Sequence, residues 1–308
     1  MKEFIRDDGV ALTLHPEIKT KILGRPSANP KYNWTDEDYK NGAKIKLERW
    51  KNRLAELNSL GVEIEGKRVL EVACGNGIDS ILLALEPVKR VIGIDIRLPL
   101  QLSNKKGRRH RKLAKQVLAE VGQSSNLWKN LCDLPIFFTE ADATNLIFGG
   151  DSFDLILSKS FLEHMIPLES ALEEMHRVLA PGGLMYHVID PYYWLRGCHA
   201  PALVDIPWAH ARLSKEEYRR FVIEAYGAET GEKCCEWNDT LNHFTPRDYR
   251  AVFEASDFEI VSWKETKSAY AEEILDMHPN VLKTVTDGIT RDALLCDSIR
   301  VLLRKKVS

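Results

Sequence analysis

Two glycines separated by one residue, Gly75 and Gly77, follow a short apolar run in the stretch VLEVACGNGIDS, and Glu71 stands four residues before the first of them. Glycines at that spacing put bare backbone against a bound group, because a side chain there would fill the ligand's volume or forbid the turn. A helix opening just after them adds free N–H groups. Further along, His187, Asp190, Tyr192, Tyr193, Trp194, Arg196 and His199 fall within YHVIDPYYWLRGCHAP. His187 can accept a proton, its tautomer set by a carboxylate. Tyr193 and Trp194 can wall an aromatic or apolar substrate, Arg196 can fix a substrate carboxylate, and His199 joins them as a substrate-facing candidate. His210 and His243 are further candidates in the same region.

Three ligands use a glycine turn of this kind. A nucleoside triphosphate calls for Gly-Lys-Ser/Thr at the end of a longer loop, and no lysine follows Gly77. A dinucleotide calls for a third glycine where this chain has Ser80. Glu71 would also repel a pyrophosphate, whereas a carboxylate there suits a cation. The third ligand, S-adenosylmethionine, carries both an ammonium and a sulfonium.

These residues need a scaffold, and the pattern around them is alternating. KRVLEVA, VIGIDI, IFFTEA and FDLILS read as strands, with helices through IDSILLALE and from about Gly107 to Glu120 between them. PLESALEEMHRVL reads as an amphipathic helix, and PGG breaks the chain before a fifth strand, LMYHVID. Short apolar strands alternating with helices predict an α/β fold with a mostly parallel sheet covered on both faces, and a ligand at the carboxyl edge of its strands. FEIVSWKE and SIRVLLRK supply two late strands, and the segment 268–295 between them is mixed.

The pattern lapses from Pro191 to about Phe244, with one helix signal between the cap Ser214 and the stop Gly227, and resumes with a helix capped by Thr245. At the other end, residues 1–35 read as an irregular arm, followed by a helix capped by Thr35 with an apolar stripe of Ile45, Leu47, Trp50, Leu54 and Leu57. The predicted organisation is an arm and helix over 1–60, a ligand-binding domain over 61–190 and 245–308, and an inserted substrate lid over 191–244.

With those elements placed, the chain resembles the class I S-adenosylmethionine-dependent methyltransferases. Glu71, Ala73, Gly75 and Gly77 match their acidic residue followed by three alternate glycines, with Ala73 in place of the first glycine. The resemblance implies a Rossmann-like, seven-stranded, mostly parallel sheet, with the lid inserted after strand five. It implies that Asp95, with Ile96 beside it, binds the ribose hydroxyls, and that Asp142 and Ala143 contact the adenine. Ser158 ends strand four at the cofactor edge, and His164 lies in a segment similar to the "EH" after strand four of many small-molecule methyltransferases. His187 and His164 are thus the catalytic candidates. Methyl transfer asks chiefly for alignment in a dry site, with a base only where the nucleophile arrives protonated. SKSF after strand four, in place of Asn/Asp-Pro-Pro-aromatic, lowers the expectation of DNA or protein-amide substrates.

Composition narrows the partners. A net charge of −2 gives no global field for nucleic acid or a membrane surface. No apolar run reaches the ~18 residues of a membrane span, and the acidic start MKEFIRDDGV does not read as an export signal. Six irregularly spaced cysteines suit a reducing, cytoplasmic setting. The pairs Cys198-His199 and Cys234-Cys235 lack zinc-site spacing, so no metal is expected. The basic run over 105–115 is the feature that favours an alternative, methyl transfer to RNA or protein. A small-molecule acceptor is the leading expectation, and a homodimer stays open.

Overall fold

The computed structural model describes residues 2–23, 34–101, 103–124 and 126–307. Among the described residues, nine strands form two sheets. The strands β1 (Glu3–Ile5) and β2 (Ala11–Thr13) pair as a small antiparallel hairpin. The main sheet contains β3 (Arg68–Val72), β4 (Arg90–Asp95), β5 (Ile136–Glu140), β6 (Phe153–Lys159), β7 (Leu179–Ile189), β8 (Phe258–Lys267) and β9 (Cys296–Lys305). Its order is β5-β4-β3-β6-β7-β9-β8. The first five are parallel, and β9 runs antiparallel to both its neighbours. The chain steps outward from β3 to β5, then returns to the other side of β3 with β6. That reversal opens a crevice at the carboxyl ends of β3 and β6, where such sheets take ligands.

Side chains alternate across the sheet as the strand period requires. Val69, Leu155, Leu157, Tyr186 and Leu302 face a core shared with the helices Asp36–Ser59, Ile78–Leu83 and Lys105–Glu120. Leu70, Val72, Ile156, Met185 and Leu303 face the opposite core, with the helices Leu168–Val178 and Pro246–Ala255. A third apolar cluster joins segments far apart in the chain. Phe4, Leu12, Ile18 and Ile22 pack with Trp208 and Phe221, and with Ile274, Leu275 and Leu294.

Several expectations change. The start of the chain is not an irregular arm: its hairpin turns at Gly9 with φ 84°, and the helix Pro16–Leu23 follows. Three-residue strands are too short for alternation to announce them; what orders them is the apolar contact just described. The stretch 24–33, read as irregular, lies outside the described residues. On the helix Asp36–Ser59, Ile45 is exposed, and the buried row is Tyr39, Ala43, Trp50, Arg53 and Leu57. Pro181-Gly182-Gly183 does not precede β7 but sits within it as a bulge, between the pairs Phe153–Leu179 and Leu155–Leu184. The caps at Thr35, Ser214 and Thr245 all form capping boxes, with Asp38, Glu217 and Asp248.

Candidate functional site

β3 runs into a turn whose alternate residues are left-handed: Ala73 at φ 55°, Gly75 at 54° and Gly77 at 69°. Only glycine adopts this without cost, so Ala73 carries strain of about 1–2 kcal/mol. The two glycines do different work. A Cβ on Gly77 would stand 2.9 Å from the Phe138 ring, so this glycine is required by packing of β5 beneath the turn. A Cβ on Gly75 would meet nothing closer than the Ala73 carbonyl at 4.0 Å, which leaves open space over that residue. A small apolar cavity of about 30 Å³ lies beside the turn, against Leu100, Trp128 and Phe138.

Asp95, at the end of β4, faces the turn: the Gly75 N–H donates to its Oδ2 at 2.9 Å, and the Arg97 N–H to its Oδ1 at 3.2 Å. Each oxygen keeps acceptor capacity. Ile96 next to it is 73% exposed, an apolar side chain with no cover. Beyond β5, Asp142 is exposed and holds its own loop, its Oδ1 accepting from the Thr144 N–H and hydroxyl at 2.8 Å each. The Thr144 N–H, first of all, keeps the Asp142 carboxyl below its usual range. Ala143 is buried beside it.

Glu71 has partners other than a cationic ligand. It is 5% exposed, accepts from Arg53 Nη1 at 3.2 Å through Oε1 and from the Ser80 hydroxyl through Oε2. Burial pushes its carboxyl up and the Arg53 charge opposes that. The acid therefore braces the turn from below.

The paired register of β6 and β7 sets Ser158 opposite His187, with Ser158 Oγ 2.7 Å from His187 Nδ1. His187 is 0% exposed, its Nε2 has no partner, and burial depresses its basicity to about 3. The general-base role expected for it meets a ring with no face open to a substrate and a strong preference for the neutral form. Orientation of Ser158 at the cofactor edge is what its geometry offers.

A polar group that the sequence only half announces stands at the carboxyl ends of these two strands. After β6 the chain turns sharply at Ser160, φ 49°, whose hydroxyl donates to Asp190 Oδ2 at 2.8 Å. The short helical turn Leu162–His164 then brings Glu163 inside and leaves His164 half-buried. Asn242 clamps this turn, its side-chain N–H donating to the Leu162 carbonyl at 2.7 Å and its backbone N–H to the Glu163 carbonyl at 2.9 Å. His199 reaches the same place from the region after β7, its Nε2 3.8 Å from Glu163 Oε1 and its ring 5.3 Å from that of His164. Trp237 meets both rings edge-on. Burial, then the neighbouring Asp190 charge, raises the Glu163 carboxyl well above its ordinary range. Burial lowers both histidines.

The remaining candidates do not converge there. Trp194 and exposed Arg196 line a separate concavity with Lys21, Ile22, Ser268, Tyr270 and Asp297. Tyr193 packs edge-on against Tyr192, at 5.0 Å. His210, buried, donates through Nε2 to the Trp194 carbonyl at 3.1 Å, and His243 stacks on Tyr192 at 3.9 Å. The basic run spends much of its charge on the chain itself. Lys112 pairs with Asp36 at 2.7 Å, Arg111 donates to the Leu100 carbonyl, Arg108 to the Ser103 carbonyl, and Arg109 covers the Trp34 ring. The residues sequence reading missed are Glu163, Arg53 and Phe138. Only Glu163 left a signal, its adjacency to His164.

Comparison with known proteins fits this arrangement. Residues 70–187 match a family described as a methyltransferase domain. A demethylmenaquinone methyltransferase of Thermus thermophilus is 28% identical over 155 residues, 50% of this chain and 58% of that protein. A ubiquinone biosynthesis O-methyltransferase of Rhizobium rhizogenes is 29% identical over 127 residues, 40% of this chain and 41% of that one. Phthiotriol/phenolphthiotriol dimycocerosates methyltransferase 1 of Mycobacterium ulcerans is 37% identical over 135 residues, 42% of this chain and 40% of the other. The chain spans about half the length of the curated relatives it matches. A solved S-adenosylmethionine-dependent methyltransferase from Mesorhizobium loti overlays with a TM-score of 0.46, at 17% identity over 81% of this chain and 96% of that one.

Residues 70–187, which hold the glycine turn after the central strand of the β5-β4-β3-β6-β7-β9-β8 sheet, are similar to a methyltransferase domain, and the chain resembles the class I S-adenosylmethionine-dependent methyltransferases. Its residues fit that family's cofactor: bare backbone at Gly75, a carboxylate at Asp95, and the uncovered Ile96 lie along one edge. Among the described residues no helix is long and apolar enough to cross a membrane.

Proposed function

We propose that this protein moves a methyl group from S-adenosylmethionine to an oxygen, nitrogen or carbon of a small-molecule acceptor. The observation that carries this reading is the meeting of Gly75 and Asp95 at the crevice, with Ile96 exposed next to them. Asp95 would hold the two ribose hydroxyls, Ile96, Asp142 and Ala143 would hold the adenine, and the bare backbone at Gly75 would admit the methionine end. S-adenosylmethionine supplies a methyl group on a positively charged sulfur. The chain supplies alignment and exclusion of water, which carry most of such a reaction. Segment 191–244 acts as the lid, with Tyr193 on the acceptor side and His164 and His199 at the acceptor's polar end. His187 serves as a positioning residue for Ser158. The relatives' names put quinone-type and phenolic acceptors first among those to try. The irregular spacing of the six cysteines suits action in a reducing, cytoplasmic setting.

Calorimetric titration with S-adenosylhomocysteine tests the cofactor half, and absence of binding at millimolar concentration overturns it. A labelled-methyl screen over phenols, quinols, amines and carboxylated metabolites tests the acceptor half.

A further inference from the structure

Glu163, His164 and His199 each offer one ligand atom to a common point, and those atoms lie within 4.8 Å of one another. Bonds of about 2.0–2.2 Å from imidazole nitrogen and carboxylate oxygen to a metal separate ligand atoms by roughly 3–4 Å. A small contraction therefore closes the set around an ion. The unpaired atoms point to the same place. Glu163 is 0% exposed, and neither of its carboxylate oxygens has a hydrogen bond of good geometry; His199 Nε2 has none either. Backbone amides of Phe161, Glu163 and Asp190 approach the carboxylate without satisfying it. Buried polar atoms left without partners are costly, and here two residues leave them facing each other.

From this convergence we propose that Glu163, His164 and His199 bind one divalent transition-metal ion. Two imidazoles and a carboxylate suit zinc, cobalt, nickel or iron, whereas calcium and magnesium take mostly oxygen ligands. The surroundings orient the ligands as metal sites require. Asn242 holds the turn that carries Glu163 and His164. Trp237 closes one side with an apolar wall. The set gathers from opposite sides of β7: two ligands follow β6 and the third follows β7. Three protein ligands leave at least one position open. The site is independent of whether the chain transfers methyl groups, because the metal itself reports on it.

The test uses the full chain after treatment with a chelator, titrated with Co²⁺. One equivalent, with a visible ligand-field band that Zn²⁺ abolishes and Ca²⁺ does not, is expected. His199→Ala and Glu163→Gln each weaken Co²⁺ binding by at least ~10-fold. His199 is the more accessible ligand, so His199→Ala decides the matter if Glu163→Gln does not fold. Lack of a stoichiometric band, a band unchanged in His199→Ala, or a thiolate-to-cobalt charge-transfer band marking a cysteine site would each overturn the proposal.

Discussion

Arg53 Nη1 lies 3.2 Å from Glu71 Oε1, a buried ion pair that ties the helix Asp36–Ser59 to the strand feeding the glycine turn. Asp79 extends it, with an oxygen 3.7 Å from the same guanidinium and another 3.4 Å from Lys46. A buried pair is weak evidence of net stabilisation, but losing one partner leaves the other charge uncompensated. The acid before the glycines is therefore part of the wall that shapes the turn.

Arg53→Met is expected to lower unfolding free energy by about 3–5 kcal/mol, the cost of a stranded buried charge. Adding Glu71→Gln should restore most of the loss. Urea denaturation of the two variants checks this. Glu71→Gln alone should leave S-adenosylhomocysteine affinity nearly unchanged; a tenfold drop would return Glu71 to the ligand.

Asp95→Asn keeps an acceptor for the Gly75 N–H and removes the charge offered to the ribose. Loss of the charge-assisted bonds, about 1.5–3 kcal/mol, corresponds to roughly 10–150-fold weaker S-adenosylhomocysteine binding. Calorimetry measures it, with melting temperature as the check on folding. Equal affinity in the two proteins would remove Asp95 from the cofactor site.

Gly77→Ala drives a Cβ against Phe138 in a left-handed backbone position. Destabilisation of about 1–3 kcal/mol follows from the overpacking. Phe138→Leu in the same chain should relieve part of it, so the two changes combine non-additively. Strict additivity in a double-mutant cycle would mean that backbone strain alone is at work.

Burial of His187 sets a pH dependence. The ring takes a proton near 6.5 in the unfolded chain and near about 3 in the folded one. Between these values the unfolded state binds more protons, so stability is full above 6.5 and falls as pH drops through that window. The slope is on the order of 1 kcal/mol per pH unit. His187→Asn should flatten the curve of urea midpoint against pH by that contribution; superimposable curves would show that His187 does not stay neutral.

Much of the frame is legible in the sequence. The turn at Gly75 and Gly77, Asp95 at a strand end, and the helix caps Thr35, Ser214 and Thr245 are local features, and local sequence dictates them through backbone freedom and short-range hydrogen bonds. The seven strands of the main sheet follow from apolar runs of the right length. The small hairpin was hidden because three residues carry no period, and the bulge at Pro181–Gly183 because Pro-Gly-Gly reads the same whether it ends a strand or bends one.

What only the tertiary structure decided is which polar groups meet. His187 carries the look of a base, yet strand register places it opposite Ser158 inside the sheet, where desolvation keeps it neutral. Glu71 looks poised for a cation from a ligand and meets one from the helix Asp36–Ser59, because Arg53 sits on that helix's buried row. Glu163 and His199 are 36 residues apart by their numbers, and nothing local joins them; the ends of β6 and β7, with Asn242 holding the turn between, bring them together. Short-range preferences set each element, while burial and charge at a site depend on every segment that covers it, and the chain order does not reveal those segments.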